Sequence, residues 1–223
     1  PGQKRPWWMV KLRADLSTEW DSTFEGTHAH DVLADGEGGF VSVGTRTFDD
    51  ATLDDAWLIR TDADGQMLAN REFMADALHD KARALSTWDY GFVVAGETES
   101  HGCGAQDGML IRVSAEGTAQ SAPVVVGGPG SDTLIAMVRT GDRWVAVGSR
   151  QQDGDKRAWC VVMDDQLQVS QYAFLSGDPS RFDSVAAFGA DGAVVMGGTG
   201  YSGDEAAGFV VVSGPEGALQ LAP

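Results

Sequence analysis

Apolar and polar positions fall into short runs along this chain, each bounded by a turn. One series ends in glycine: Phe40-Val-Ser-Val-Gly44, Phe92-Val-Val-Ala-Gly96, Trp144-Val-Ala-Val-Gly148 and Ala193-Val-Val-Met-Gly197, with starts 52, 52 and 49 residues apart. A second series opens on a large apolar residue: Trp8-Met-Val-Lys-Leu12, Trp57-Leu-Ile-Arg-Thr61, Met109-Leu-Ile-Arg-Val113, Trp159-Cys-Val-Val-Met163 and Phe209-Val-Val-Val-Ser213. Turns such as Asp64-Gly65, Glu116-Gly117 and Glu216-Gly217 follow three of these. A third series places an acid, Asp31, Asp80, Asp132 or Asp183, before a run of small residues such as Lys81-Ala-Arg-Ala84. β-Branched and aromatic runs bounded by Gly and Asp read as strands. No segment has helical periodicity.

Four strands therefore recur in each unit of about fifty residues. In order they are A (small residues), B (ending in glycine), C (opening on a large apolar residue) and D (with Trp20 and Phe24, Phe73, or Tyr172 and Phe174). Four antiparallel strands per repeat make a propeller blade. The predicted fold is an all-β β-propeller: one domain over residues 1–223, with a half blade over 7–27 and full blades over about 28–75, 76–127, 128–177 and 178–223. The count is four blades and a half, so the expected ring is open. A longer parent protein, a partner chain completing the ring, or a hairpin packed outside four closed blades would each account for the half blade. The chain opens on Pro1 rather than Met, which favours a processed or truncated piece of a longer protein.

Composition agrees with this picture. The 223 residues are 43% hydrophobic, enough for a full core, and 29 glycines against 7 prolines suit many tight turns. The net charge of −17 sets a phosphate backbone or an anionic membrane surface at a disadvantage, so neither nucleic acid nor membrane insertion is expected. No apolar run reaches the ~18 residues of a membrane span. Two cysteines, Cys103 and Cys160, make no disulfide framework.

The run aromatic-Leu-Ile-Arg-x-Asp-x-Asp-Gly at Trp57–Gly65, with the Gly-Phe-Val-Val-Ala-Gly run at 91–96, resembles the propeller repeats of bacterial secreted proteins, similar in style to kelch-type and PQQ-type blades. It lacks the double glycine of true kelch and the Trp-Asp pair of the WD type. The resemblance implies a periplasmic or extracellular protein and leaves function open, because propellers host enzymes, lectins and scaffolds alike.

Candidate chemistry falls on the face shared by the B–C and D–A connections. The B–C loops carry Asp49, Asp50, Asp54, Asp55, Glu97, Glu99, Asp107, Asp153, Asp155, Asp204 and Glu205, an acidic face suited to a protein partner or other ligand. All four histidines fall there too, and His28, His30, His79 and His101 with Cys103 are candidate ligands for zinc or copper. Asp31, Asp80, Asp132 and Asp183 could ring the channel and hold calcium, although an Asp at a strand start more simply caps a turn. Asp62-Ala-Asp-Gly65 lacks the glutamate of a calcium loop and reads as a hairpin turn. There is no Gly-x-Ser-x-Gly elbow and no phosphate loop, and nothing orients Cys103 against His101 as a nucleophile. Trp8, Trp57, Trp144 and Trp159 sit at repeat core positions, leaving Trp88 as the exposed candidate for sugar stacking. The main expectation is a non-catalytic binding module without a cofactor. The alternative is a hydrolytic, metal-dependent or carbohydrate-binding propeller using the histidine face.

Overall fold

The computed structural model describes residues 6–47, 53–74, 78–175, 181–189, 192–202, 205–214 and 219–221. They form eighteen strands and no helix. A two-stranded sheet comes first, β1 (Trp7–Leu12) and β2 (Thr18–Phe24). Four sheets of four strands follow: β3 (His28–Ala34), β4 (Phe40–Thr47), β5 (Asp54–Thr61) and β6 (Met67–Met74); β7 (Asp80–Trp88), β8 (Gly91–Thr98), β9 (Asp107–Ser114) and β10 (Val124–Val126); β11 (Asp132–Thr140), β12 (Arg143–Gln152), β13 (Asp155–Met163) and β14 (Val169–Phe174); and β15 (Arg181–Phe188), β16 (Ala193–Ser202), β17 (Glu205–Ser213) and β18 (Leu219–Leu221). Each of the four is an antiparallel meander with its strands in chain order, the topology of a propeller blade. The fold is thus of the all-β propeller class, with four full blades and a half blade. By contacts, the chain divides into two compact units, Pro1–Val94 with Ile111–Ala122, and Ala95–Leu110 with Pro123–Pro223.

Within each unit, consecutive sheets stack face to face and meet along their A strands. β3 packs on β7 in the first unit and β11 on β15 in the second. The core of the second unit interleaves Val145, Val147, Cys160 and Val162 of one sheet with Phe182, Val194, Met196 and Val211 of the next. In the first unit Trp7 and Phe24 of the half blade close on Trp57 and Ile59. Trp144 to Val147 is a run of four buried residues, as expected of a strand with both faces covered.

The repeated glycine has a steric cause. Gly44 faces Ala29, Gly148 faces Leu134 and Gly198 faces Phe182 across the A–B ladder, and a bulge follows each A-strand partner. A Cβ at these glycines would overlap the carbonyl oxygens of His28, Thr133 and Arg181 respectively. In the last sheet it is Gly198, not Gly197, that holds this place.

That register also separates the four acids expected to be equivalent. Asp132 lies two residues before the partner of its glycine, Asp31 two residues after, and Asp183 in the bulge itself. Asp80 opens β7 as Asp132 opens β11, and both are fully buried. The register therefore gives Asp31, Asp132 and Asp183 no common position on the A–B ladder.

The C–D turns share one construction. Asp62 Oδ1 accepts the amides of Asp64 and Gln66, Asp164 Oδ1 those of Gln166 and Gln168, and Ser114 Oγ those of Glu116 and Thr118. Backbone amides occupy the Asp62 carboxylate, so this turn is the hairpin that its spacing predicts. The fourth residue has positive φ in each of the four described copies: Gly65 at 77° and Gly117 at 81°, but Leu167 at 60° and Leu16 at 65°. Leu167 is buried, whereas Leu16 is exposed and strained without compensation. Leu16→Gly is expected to stabilise the protein by about 1 kcal/mol, the lower end of the cost of such a conformation, raising Tm by roughly 2–4 °C in calorimetry. Gly148→Ala is expected to lower Tm in the same measurement.

Candidate functional site

In the first unit the start of β5 meets His79 and the start of β7. The Asp54 amide donates to His79 Nδ1 at 3.0 Å, and Asp54 Oδ2 stands 3.9 Å from both His79 Nδ1 and Lys81 Nζ. Thr47 donates its hydroxyl to Asp54 Oδ1 at 2.6 Å. The next residue, Asp55, turns to the opposite face of the strand and is only 8% exposed. Burial pushes its carboxyl up to about 6, and the charges of Glu72, Asp80 and Asp54 push the same way, against a smaller opposing effect of His79. Burial also raises Glu72, which Arg46 partly offsets. The result is a half-buried group of carboxyls beside one imidazole. Asp55 holds its proton well above the usual carboxylate range, while Asp54 is hydrogen-bonded through Thr47.

The second unit repeats part of this arrangement. Asp107 stands 52 residues after Asp55, Asp132 stands 52 after Asp80, and each pair is 25 residues apart. Asp107 Oδ2 accepts the amides of Cys103 (3.0 Å) and Gly104 (3.1 Å). Asp132 accepts those of Gly128 (2.6 Å) and Gln151 (2.9 Å), with Arg150 Nε 3.8 Å away. Both carboxylates crowd the same side of Gly127. Burial raises Asp132, opposed by its amide donors and Arg150, and Asp107 adds to the rise. This pair is held by backbone amides and is architectural. The first-unit group differs in having Asp54, His79 and Lys81 at its rim.

The remaining candidates divide by burial. Asp153 and Asp155 are exposed and Glu99 is half-buried. Asp55, Glu97 and Asp107 are buried, which corrects their expected place on a solvent-facing acidic surface: a strand with two covered faces turns them inward. Asp49, Asp50 and Asp204 lie outside the described residues. Trp88 is half-covered, with the Arg112 guanidinium 4.5 Å from its ring centre and Tyr90 edge-on at 5.3 Å. Trp57, Trp144 and Trp159 are buried as expected, but Trp8 is 67% exposed.

The proposed metal ligands do not assemble. Among the described residues, no three His, Cys, Asp or Glu side chains gather as a metal-holding group. His28 and His30 stack on each other at 6.1 Å, His30 Nε2 lies 3.2 Å from Arg83 Nη1, and His79 is engaged by Asp54. His101 and Cys103 belong to a turn closed on Thr98 and Asp107. Cys103 is exposed and Cys160 buried, its thiol pushed up to about 12 by burial, and neither forms a disulfide.

Sequence reasoning missed Glu72 and separated Asp80 from Asp55. The signal was present as the repeated 25-residue spacing between a C-strand acid and the next A-strand acid.

No protein-family model matches the chain, and no curated protein matches it. Among solved structures, an endo-arabinase from Bacteroides thetaiotaomicron aligns with a TM-score of 0.49 at 13% identity, over 87% of this chain and 81% of that one. A eukaryotic initiation factor aligns at 0.41 and 7% identity, over 96% of this chain and 60% of that one. At these levels of similarity neither name transfers to this chain.

The fold favours protonated Asp55, so its contribution to stability is present below the ordinary carboxylate range and is lost as pH rises through about 6. Asp55→Asn is expected to leave Tm unchanged at pH 4 and to raise it by ~2–4 °C at pH 8, the effect of about 1 kcal/mol in a chain of this size.

Proposed function

We propose that the protein is a hydrolytic propeller whose chemistry is centred on Asp55, with Asp54, Glu72 and His79 around it. One observation carries this reading: a carboxyl that titrates near 6 inside a group of further carboxyls and an imidazole, where the start of β5 meets His79. A carboxylic acid protonated near neutral pH beside an ionised carboxylate is the minimum set for cleaving an acetal, because one group protonates the leaving oxygen while the other activates water. Such a reaction needs neither a metal nor a serine elbow. The acidic surroundings suit an uncharged or cationic substrate, and a neutral glycoside is the class that fits best. Asp55 acts as the general acid, and the half-exposed Asp54 and His79 lie where substrate and water would reach the group.

A panel of chromogenic glycosides and neutral polysaccharides tests this. Hydrolysis by the unaltered protein is expected, with kcat/KM falling as pH rises through about 6. Asp55→Asn is expected to lower kcat by at least about 100-fold with little change in KM, the usual worth of a general acid. Absence of hydrolysis across the panel, or full activity in Asp55→Asn, overturns the reading. The second reading, an acidic binding module, rests on exposed Asp153 in the β12–β13 connection and exposed Asp155 at the start of β13. It would instead give salt-sensitive capture of a basic protein that Asp55→Asn leaves intact.

A further inference from the structure

The half blade is the C–D part of a sheet. Trp20 of β2 packs on the β5–β6 turn at Gly65, and its Nε1 donates to Ala63 O at 2.8 Å; Leu58 and Arg71 pack in the same way on the β9–β10 turn at Gly117. The half blade therefore stands to the first full sheet as that sheet's C and D strands stand to the next C–D turn. β1 holds the place of a C strand, yet among the described residues it pairs only with β2.

In a complete sheet a C strand pairs with a B strand on its other edge. Gly44 faces Trp57, Gly148 faces Trp159 and Gly198 faces Phe209. Two residues beyond the glycine, Arg46 and Arg150 lay their guanidinium groups over Trp57 and Trp159, at 4.4 and 5.5 Å from the ring centres. Trp8 is the corresponding residue of β1. Among the described residues none covers it in this way, and it is 67% exposed, against 5% for Trp57 and 0% for Trp159. The adjoining A strand shows the same lack: Val32, two places before the glycine across the ladder, is 54% exposed, whereas Met137 at the same place is 9% exposed. Between β1 and β3 lies a cavity of about 190 Å³, lined by Trp7, Trp8, Phe24, His30, Asp31 and Val32 among others.

We propose that the open edge of β1, with this cavity, is a docking site for a β-hairpin of A–B type supplied by a separate polypeptide. Its second strand adds antiparallel to β1, with a glycine opposite Trp8 and an arginine two residues later stacked on the Trp8 ring. Its first strand, of small and β-branched residues, lies against β3 and covers Val32. The main-chain bonds along β1 supply affinity, and the glycine and arginine set the register. An arginine also suits a chain of net charge −17 and the Asp21 carboxylate, which accepts from Trp8 Nε1 at 3.1 Å. This inference is independent of the hydrolytic reading.

The probe is a synthetic peptide of the chain's own A–B segment, residues 130–152, added to the intact protein. Hydrogen exchange by mass spectrometry is expected to show new protection of β1 and β3 amides with saturable dependence on peptide. Trp8→Ala in the protein and Arg150→Ala in the peptide should each weaken binding about tenfold, and together no more than either alone, as expected if the two groups act on each other. Far-ultraviolet circular dichroism checks that Trp8→Ala, a surface change, leaves the sheets intact. A soluble monomeric peptide that leaves β1 unprotected overturns the proposal. So does concentration-dependent dimerisation of the protein alone that protects β1, since the occupant would then be a second copy.

Discussion

A sheet with two apolar faces needs a neighbour on each side. In this chain the B and C strands run as continuous buried stretches, Trp144 to Val147 and Ala158 to Val162 among them, so no single sheet could bury its surface alone. Stacking of consecutive sheets answers that need within each unit. It also dictates the smaller features. The sheets meet along their A strands, where the bulged backbone comes so near the B strand that only glycine fits at Gly44, Gly148 and Gly198. Polar groups at the ends of the stacked strands are carried inward with the core, and Thr98, Asp107 and Asp132 are then held by backbone amides.

The carboxyl chemistry follows from the same stacking. In the first unit the acid at the start of β5 and the acid at the start of β7 are drawn together because the sheets that carry them pack on each other, and in the second Asp107 and Asp132 meet at Gly127. At Asp107 and Asp132 the enclosing loops supply amide donors that satisfy most of the pair. At Asp55 the neighbours are Glu72, Asp80 and Asp54, so burial and like charge both favour the protonated form. One structural device thus gives an amide-bound pair in one unit and a proton-holding group in the other. The difference lies in which residues line the rim, His79 and Lys81 on one side and the 102–104 turn on the other.

The half blade shows the constraint left unmet. Its inner face, with Trp7 and Phe24, is buried against the next sheet, whereas Trp8 on the other face is exposed and the second edge of β1 pairs with none of the described residues. The repeats within the chain define what completes such a sheet, down to the residue that stacks on the tryptophan.

Strand order, repeat length, turn positions and the half blade were legible in the amino-acid sequence, because alternation, turn glycines and a fifty-residue period are local properties of the chain. The hairpin reading of Asp62-Ala-Asp-Gly65 was legible for the same reason. Burial of Asp55, Glu97 and Asp107 was not: a loop acid and a strand-end acid look alike until a neighbouring sheet covers one of them. The inequivalence of Asp31, Asp132 and Asp183 was hidden too, since a bulge shifts register without changing the spacing of residues along the chain. Trp8 read as core because its equivalents are core. Only the packed structure shows that, among the described residues, the strand and arginine covering those equivalents have no counterpart beside β1. The sequence by itself determined which elements form. The tertiary structure decided which side chains lose water, because that depends on what stands across from each strand and not on the strand alone.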